Sequence, residues 1–412
     1  MDAPQVSPQE GAKNGHPADD ADVFHSYHTK VLQGLLGPIR EYYGNPDEEN
    51  PALLAKAAEV TEIMINGPRD IYIERGGGLE KIEGAAFESD EKLMALARAI
   101  LQFAGKRLDP DELSIEARTP EKHRVHIVQF PAARPGLSIA IRKFPLERFG
   151  LDKLVKAGAF TPRVREFLSL AMERKLNILV SGGTGSGKTT LLNALSDMIA
   201  GANRKAGEAA NGADRVLIIE DTSEIRFEEN LHVLQLEAQK PGGDGKGGIS
   251  IRELLHASLR MRPDRVIVGE CRGGEALDMI QAMNTGHAGS LSTIHSNSPI
   301  DCLARLETLC LMADLNIPLS ALQRQIASAV QLVIQVARWH GKRRVIEIAE
   351  IRGYDPKTSF YDVETIFTVR PDQSSESGFT LEWTGETPEI LLDLDPERTR
   401  AMLERWRIED RN

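Results

Sequence analysis

The chain has 412 residues, enough for two or three domains that each bury a core, and its 41% hydrophobic and 27% charged residues are ordinary for a soluble globular protein. A formal net charge of -11 gives no support to a general affinity for nucleic acid, whose phosphates demand clustered Lys and Arg. Cys271, Cys302 and Cys310 form no CxxC pair, which argues against a structural zinc site or a disulfide framework and fits a reducing cytoplasm. In chain order, residues 1–22 are polar, rich in Pro, Gly, Ala and Asp, and expected to be disordered; they lack the apolar run of a secretion signal. Nothing later approaches the ~18 apolar residues of a membrane span, so any membrane contact is expected to be peripheral.

From Val23, "YHTKVLQGLLGPIREYY" and "ALLAKAAEVTEIMIN" carry helical spacing, "DIYIER" alternates like a strand, and "DEKLMALARAILQFAGK" returns to helix. "RVHIVQF" and "LSIAIRKF" alternate again around the turn-prone "PAARPG". These elements predict an α+β domain over 23–135, with an interdomain linker and hinge over 136–150. A second domain, 151–370, opens with the helix "TPRVREFLSLAMER" and the buried strand "NILVS". The further strands "RVLIIE", "HVLQL", "RVIVGE" and "SLSTI" alternate with helices or loops, which predicts a largely parallel sheet. Residues 201–214 and 240–248 read as mobile loops. Residues 371–412 read as a polar extension with a hairpin and a last helix.

"GGTGSGKT" at 182–189 matches the phosphate-binding pattern in full, with a strand before it and a helix after it. Gly182, Gly183, Gly185 and Gly187, with Thr184 and Ser186, let the backbone turn its N–H groups toward phosphate, and the helix N-terminus at Lys188, Thr189 and Thr190 adds positive potential. Lys188 is expected to meet the β and γ phosphates, and the Thr189 hydroxyl to join a magnesium shell. A guanine-reading NKxD is absent, which disfavours a Ras-type GTPase.

The stretch "RPDRVIVGECRGGEA" looks like the second half of such a site, yet Gly269 stands where an aspartate is expected, followed by Glu270. If the strand "RVLIIEDTSEI" neighbours the phosphate-loop strand, Glu220 and Asp221 reach the same sheet edge and supply the missing magnesium carboxylates, leaving Glu270 to activate water. The alternative is that Glu220 and Asp221 cap the next turn. His287 and His295 bracket the strand "SLSTI" and are candidates for sensing a γ-phosphate; the plainer reading is a packed or surface histidine. Arg124 and Arg142, and Arg260, Arg262, Arg272 and Arg305 around the glutamate and histidine segments, are candidate donors to phosphoryl charge, each of which is individually more often a solvated or ion-paired residue.

Taken together, "RVHIVQFPAARPGLSIAIRKF", "LNILVSGGTGSGKTTLLNALS", "IIEDTSEI", "SLRMRPDRVIVGECRGGEALDMIQAMNTGHAGSLSTIHSNSPIDCLARLETL" and "IPLSALQRQIASAVQLVIQVAR" resemble the secretion ATPases of the type II/type IV superfamily. The likeness runs from Arg124 to Val369 and is greatest to the Tad/Flp-pilus type, with conjugation-type (type IV secretion) ATPases next. It implies a RecA-like P-loop ATPase core with a smaller α+β N-terminal domain, ATP and Mg2+ as cofactors, a homo-hexamer, and docking on an inner-membrane platform protein; the acidic balance, separately, argues for no nucleic-acid partner. It also implies a motor for pilus assembly or secretion, located in the cytoplasm and peripherally at the inner membrane. Carried over by motif, Glu270 is the catalytic glutamate, Glu220 and Asp221 form the Asp box, His287 and His295 the His box, and Arg124 and Arg142 fit the N-terminal arginines that reach the nucleotide. A nucleotide-gated scaffold that does not turn over is the other class of function. Against the family pattern, Gln235 and Gln239 stand where arginines are expected, the 201–214 insert is long, and Cys271 replaces an apolar residue.

Overall fold

The computed structural model describes residues 17–44, 50–144, 150–202, 214–225, 232–239, 241, 247–339, 341–372 and 379–410. Most of the expected 1–22 segment, residues 145–149 of the expected linker, the bulk of the 201–214 insert and most of the 240–248 loop lie outside these residues. The chain divides into two compact units, Met1–Glu147 and Arg148–Asn412.

The first unit holds helices α1 (Pro17–Leu35), α2 (Arg40–Tyr43), α3 (Pro51–Ala58) and α4 (Asp90–Phe103), and strands β1 (Val60–Asn66), β2 (Ile71–Arg75), β3 (Gly78–Lys81), β4 (Ser114–Arg118), β5 (Arg124–Gln129) and β6 (Leu137–Arg142). Helix α1 starts at Pro17, inside the stretch expected to be disordered; proline suits a first helical turn because its missing N–H would be unbonded there anyway. The helical reading of "ALLAKAAEVTEIMIN" stops at Ala58. Beyond it Ile63 and Ile65, two apart and fully buried, face the core of a strand, the geometry that β-branched residues favour. The sheet is antiparallel in the order β3-β2-β1-β6-β5-β4. Residues 137–142, expected to be linker, are therefore a central strand paired on both sides.

The second unit begins with α5 (Leu151–Lys156), α6 (Pro162–Glu173), β7 (Ile178–Gly182), α7 (Lys188–Ala202), β8 (Val216–Glu220), β9 (Val233–Glu237) and α8 (Ile251–Ser258). It continues through β10 (Arg265–Val268), α9 (Glu275–Asn284), β11 (Leu291–Ile294), α10 (Pro299–Leu311) and α11 (Leu319–Ala329). It closes with β12 (Leu332–Trp339), β13 (Lys342–Asp355), β14 (Phe360–Pro371), β15 (Phe379–Trp383), α12 (Glu389–Leu394) and α13 (Pro396–Glu409). The nine strands run β15-β14-β13-β12-β7-β11-β10-β8-β9, parallel from β12 to β9 and antiparallel from β12 to β15.

Every residue of β7, β8, β10 and β11 is buried, as in a parallel sheet covered on both faces. Alternation sorts them: Ile178, Val180, Ile218 and Ile267 join the core beneath α6 and α7, whereas Leu179, Ile219, Val266 and Val268 join the core beneath α8, α9 and α10. The segment expected to be a polar extension belongs to the first of these cores through Leu381, Trp383, Leu391, Met402, Leu403 and Trp406. Trp406 meets Phe367 and Trp383 edge-on, each with ring centroids 5.6 Å away. No described helix is long and apolar enough to cross a membrane.

Candidate functional site at the ends of the parallel strands

The parallel strands deliver their C-terminal residues to one edge, where such sheets bind ligands. Strand β7 ends at Gly182, where a Cβ would collide with the Val336 carbonyl and stand 2.6 Å from Ser186 Oγ; only glycine fits. The loop then turns through Gly185 (φ +67°) and Gly187 (φ +99°), left-handed positions that disfavour side chains. Ser186 Oγ donates to the Gly183 carbonyl at 2.8 Å, bracing the turn. Lys188 opens α7, with Thr189 and Thr190 half-buried in its first turn. The lysine Nζ folds back to donate to the carbonyls of Gly182 (3.0 Å) and Gly183 (3.1 Å).

From that lysine a line of charged groups crosses the strand ends. Lys188 Nζ lies 3.3 and 3.4 Å from the two ring nitrogens of His295, just past β11. His295 Nε2 lies 2.8 Å from Glu270 Oε1, just past β10, a close approach not aligned as a hydrogen bond. Glu270 Oε2 accepts from Arg272 Nε (2.9 Å) and Nη2 (2.6 Å), and Arg272 Nη1 donates to Asp221 Oδ2 at 2.9 Å. Burial first, then the Lys188 charge, holds the His295 pKa below its ordinary 6.5, so the ring is neutral near pH 7. Arg305 on α10 adds to the positive potential there.

Glu220 does not neighbour the phosphate-loop strand as the sequence reading supposed. Strands β11 and β10 intervene, because β8 pairs with β10 and β9. Its carboxylate is nonetheless at the same edge, only 3% exposed, with Oε1 accepting from the backbone N–H of Glu224 (2.9 Å) and Ile225 (3.1 Å). Oε2 is buried without a hydrogen-bond partner, and burial pushes the pKa up to about 8. Gly269 is explained by the same neighbour: a Cβ there would stand 3.0 Å from Glu220 Cγ. A magnesium ion fits this donor set in part. Thr189 offers a hydroxyl at the loop, and the unpaired Glu220 oxygen suits a cation or its bound water. Asp221 is half-exposed and committed to Arg272, so it does not stand ready as a ligand.

Other expected site residues lie elsewhere. His287 precedes β11 at the opposite edge of the sheet, its Nδ1 3.2 Å from the Ala282 carbonyl, because a parallel strand carries its two ends to opposite edges. Arg260 is exposed beyond the end of α8, also before its strand, and Arg262 follows there at φ +56°. Arg124 and Arg142 belong to the first unit, where they are cross-strand partners on β5 and β6; Arg124 reaches Glu116 at 3.4 Å. Gln235 donates to the Ile225 carbonyl at 2.6 Å and Gln239 bridges to Ile249, so both work locally. Cys271 is buried, its Sγ 3.7 Å from Met279 Sδ, in place of an apolar residue.

Sequence reasoning missed Ser181, Ser296 and Gln335. The two serine hydroxyls hydrogen-bond across β7 and the turn after His295, and Gln335 Nε2 donates to the Ser296 carbonyl at 3.3 Å. The one signal for Gln335 was a polar residue within the apolar run "LVIQV".

The family model described as type II/IV secretion system protein matches residues 47–368. A putative conjugal transfer protein of Mycobacterium tuberculosis is 33% identical over 306 residues, 73% of this chain and 83% of its own length. The type IV secretion system protein PtlH of Bordetella pertussis is 34% identical over 316 residues, covering 70% of this chain and 90% of its own length. Among solved structures, the Legionella pneumophila ATPase DotB aligns at a TM-score of 0.50 and 18% identity over 88% of this chain and 89% of its own, a likeness of fold.

Proposed function

Because this chain belongs to the type II/IV secretion system protein family, we propose that it is a secretion ATPase of the conjugation or type IV secretion branch, hydrolysing ATP to drive transport at a membrane assembly. The observation that carries the hydrolytic reading is the line Lys188–His295–Glu270, which sets a carboxylate two contacts from the phosphate-loop lysine. A scaffold that only bound nucleotide has no use for a general base there. In this reading Lys188 leaves the Gly182 and Gly183 carbonyls to meet the phosphates, and Glu270 leaves Arg272 to orient and deprotonate the attacking water. Arg272, freed from Glu270, is then a donor for phosphoryl charge. Magnesium, when bound with ATP, offsets phosphate charge; Thr189 and Glu220 are the residues that would hold it.

The names of the relatives favour the conjugation-type reading over the Tad/Flp-pilus one, which rests on motif likeness. A hexameric ring, docking on an inner-membrane platform protein, and nucleotide contacts by Arg124 and Arg142 belong to the same proposal. The test is phosphate release by the full chain with Mg-ATP, with molar mass measured on the same samples. Wild-type turnover lost in Lys188→Ala and Glu270→Gln, with Glu270→Gln still binding ATP, is the expected result. Equal turnover in Glu270→Gln and wild type would overturn it. In the source cell, deleting the gene is expected to abolish plasmid transfer; loss of pili with transfer intact would restore the pilus reading.

A further inference from the structure

Gln335 is a polar side chain in a position built for an apolar one. Strand β12 runs parallel to β7 with Gln335 opposite Ser181. Two residues earlier on each strand, Val333 and Leu179 join the core beneath α8, α9 and α10, so alternation points Gln335 and Ser181 to that same face. Both are buried, Gln335 at 2% exposure. Its Nε2 donates to the Ser296 carbonyl at 3.3 Å, whereas Oε1 has no hydrogen-bond partner among the described residues. A buried amide with an unmatched oxygen costs stability that an aliphatic side chain at this site would not. Packing therefore does not account for it.

What the amide holds is the turn that carries His295. Strand β11 ends at Ile294, opposite Ser181, so His295 is one residue past the last ladder pair. Side chains take over there. Ser296 Oγ donates to the Ser298 carbonyl at 3.1 Å, which uses its single proton, so in the contact between the two hydroxyls Ser181 is the donor. Gln335 grips the Ser296 carbonyl from β12. Glu270 has a hold of its own: Thr293 Oγ1 donates to the Gly269 carbonyl at 2.8 Å, and the Cys271 N–H donates to the Thr293 carbonyl at 3.0 Å. We propose that Gln335 is a positioning residue of the hydrolytic line: with Ser181 it clamps the 295–298 turn, and through it keeps the His295 ring between Lys188 and Glu270. Its loss frees His295 while leaving the phosphate loop and Glu270 in place. This rests on the hydrolytic reading of the site.

The experiment is a double-mutant cycle on the full chain, pairing Gln335→Met with His295→Ala, read as kcat for phosphate release and as ATP affinity by calorimetry. Methionine keeps an unbranched chain of similar length and removes the amide. Gln335→Met alone is expected to lower kcat about tenfold, the scale of one lost hydrogen bond, with ATP affinity unchanged. In the His295→Ala background the same change is expected to cost less than about twofold, because the group it positions is gone. Ser296→Ala loses the serine contact but keeps the carbonyl that Gln335 meets; it should show the same pattern, and it takes over the test if Gln335→Met does not fold. Wild-type kcat in Gln335→Met, a matching loss of ATP affinity, or a tenfold loss that persists beside His295→Ala would overturn the proposal alone. Equal turnover in Glu270→Gln and wild type would overturn the hydrolytic reading and the proposal with it.

Discussion

Gly269 and Glu220 stand so close that a Cβ on the glycine would lie 3.0 Å from Cγ of the glutamate. The glycine where a carboxylate is expected is thus a space left for a carboxylate from the next strand. Gly269→Asp puts a clash and a second acid beside a buried one. Overpacking of this kind costs about 1–3 kcal/mol, and turnover is expected to fall at least tenfold as Glu220 is displaced. Thermal unfolding and phosphate release measure the two effects; a stable, fully active variant would mean the glycine is incidental.

The two histidines are expected to part company. His295 touches both Lys188 and Glu270, so His295→Ala should cut kcat by roughly a hundredfold, the scale of a positioned catalytic group. His287 sits at the far edge on the Ala282 carbonyl, and His287→Ala should stay within a fewfold of wild type. Steady-state rates with saturating Mg-ATP decide it; equally slow variants would place His287 in the chemistry.

Lys143 gives the first unit a pH dependence. Its Nζ is buried, donating to the carbonyls of Tyr42 (2.7 Å) and Ala57 (2.5 Å), and burial lowers its pKa from 10.5 to about 8. Between pH 8 and 10.5 the unfolded chain holds a proton that the folded one has shed, so stability rises with pH through that window. All three tryptophans lie in the second unit, so the urea transition seen by circular dichroism but not by tryptophan fluorescence reports the first. Its midpoint should climb from pH 8 to 10.5 more steeply in wild type than in Lys143→Met; parallel curves would refute the shift.

Trp406 is 1% exposed in the core shared by Phe167 and Phe367. Trp406→Ala should cost the second unit about 3–5 kcal/mol, the usual range for emptying a large aromatic site. Urea unfolding followed by the remaining tryptophans checks it. A loss under 1 kcal/mol, below that range, would mean the last helix is dispensable.

The phosphate loop and the strands β7, β8, β10 and β11 were legible because their signals are local: a complete glycine motif, and short runs apolar at every position. The meeting of Lys188, His295, Glu270, Arg272 and Asp221 at one edge also follows from residues placed just after such runs. Strand order was not legible. That β8 lies three positions from β7 is decided by crossovers between distant segments, and no local residue records it. Strand β1 reads as helix from the sequence because Ala-rich α3 feeds it without a glycine or proline between them. The antiparallel strands β13 and β14 are half-exposed and bulged, which blurs their alternation. Gln335 lies far along the chain from the loop it adjoins; its polar side chain stands out in an apolar run, but only the β7–β12 pairing shows where it sits.

The last helix, α13, runs antiparallel along α6: Arg163 pairs with Glu409 and Asp410, Glu166 with Arg405, and Glu173 with Arg398. Helix α5 is tied to the same place through Asp152 and Arg165. The beginning and end of the second unit therefore lie side by side. A short peptide joining Asp410 to the start of α5 would close this unit into a circle. New ends could then be opened at the exposed turn between β13 and β14, leaving the order of the sheet and the phosphate loop as they are.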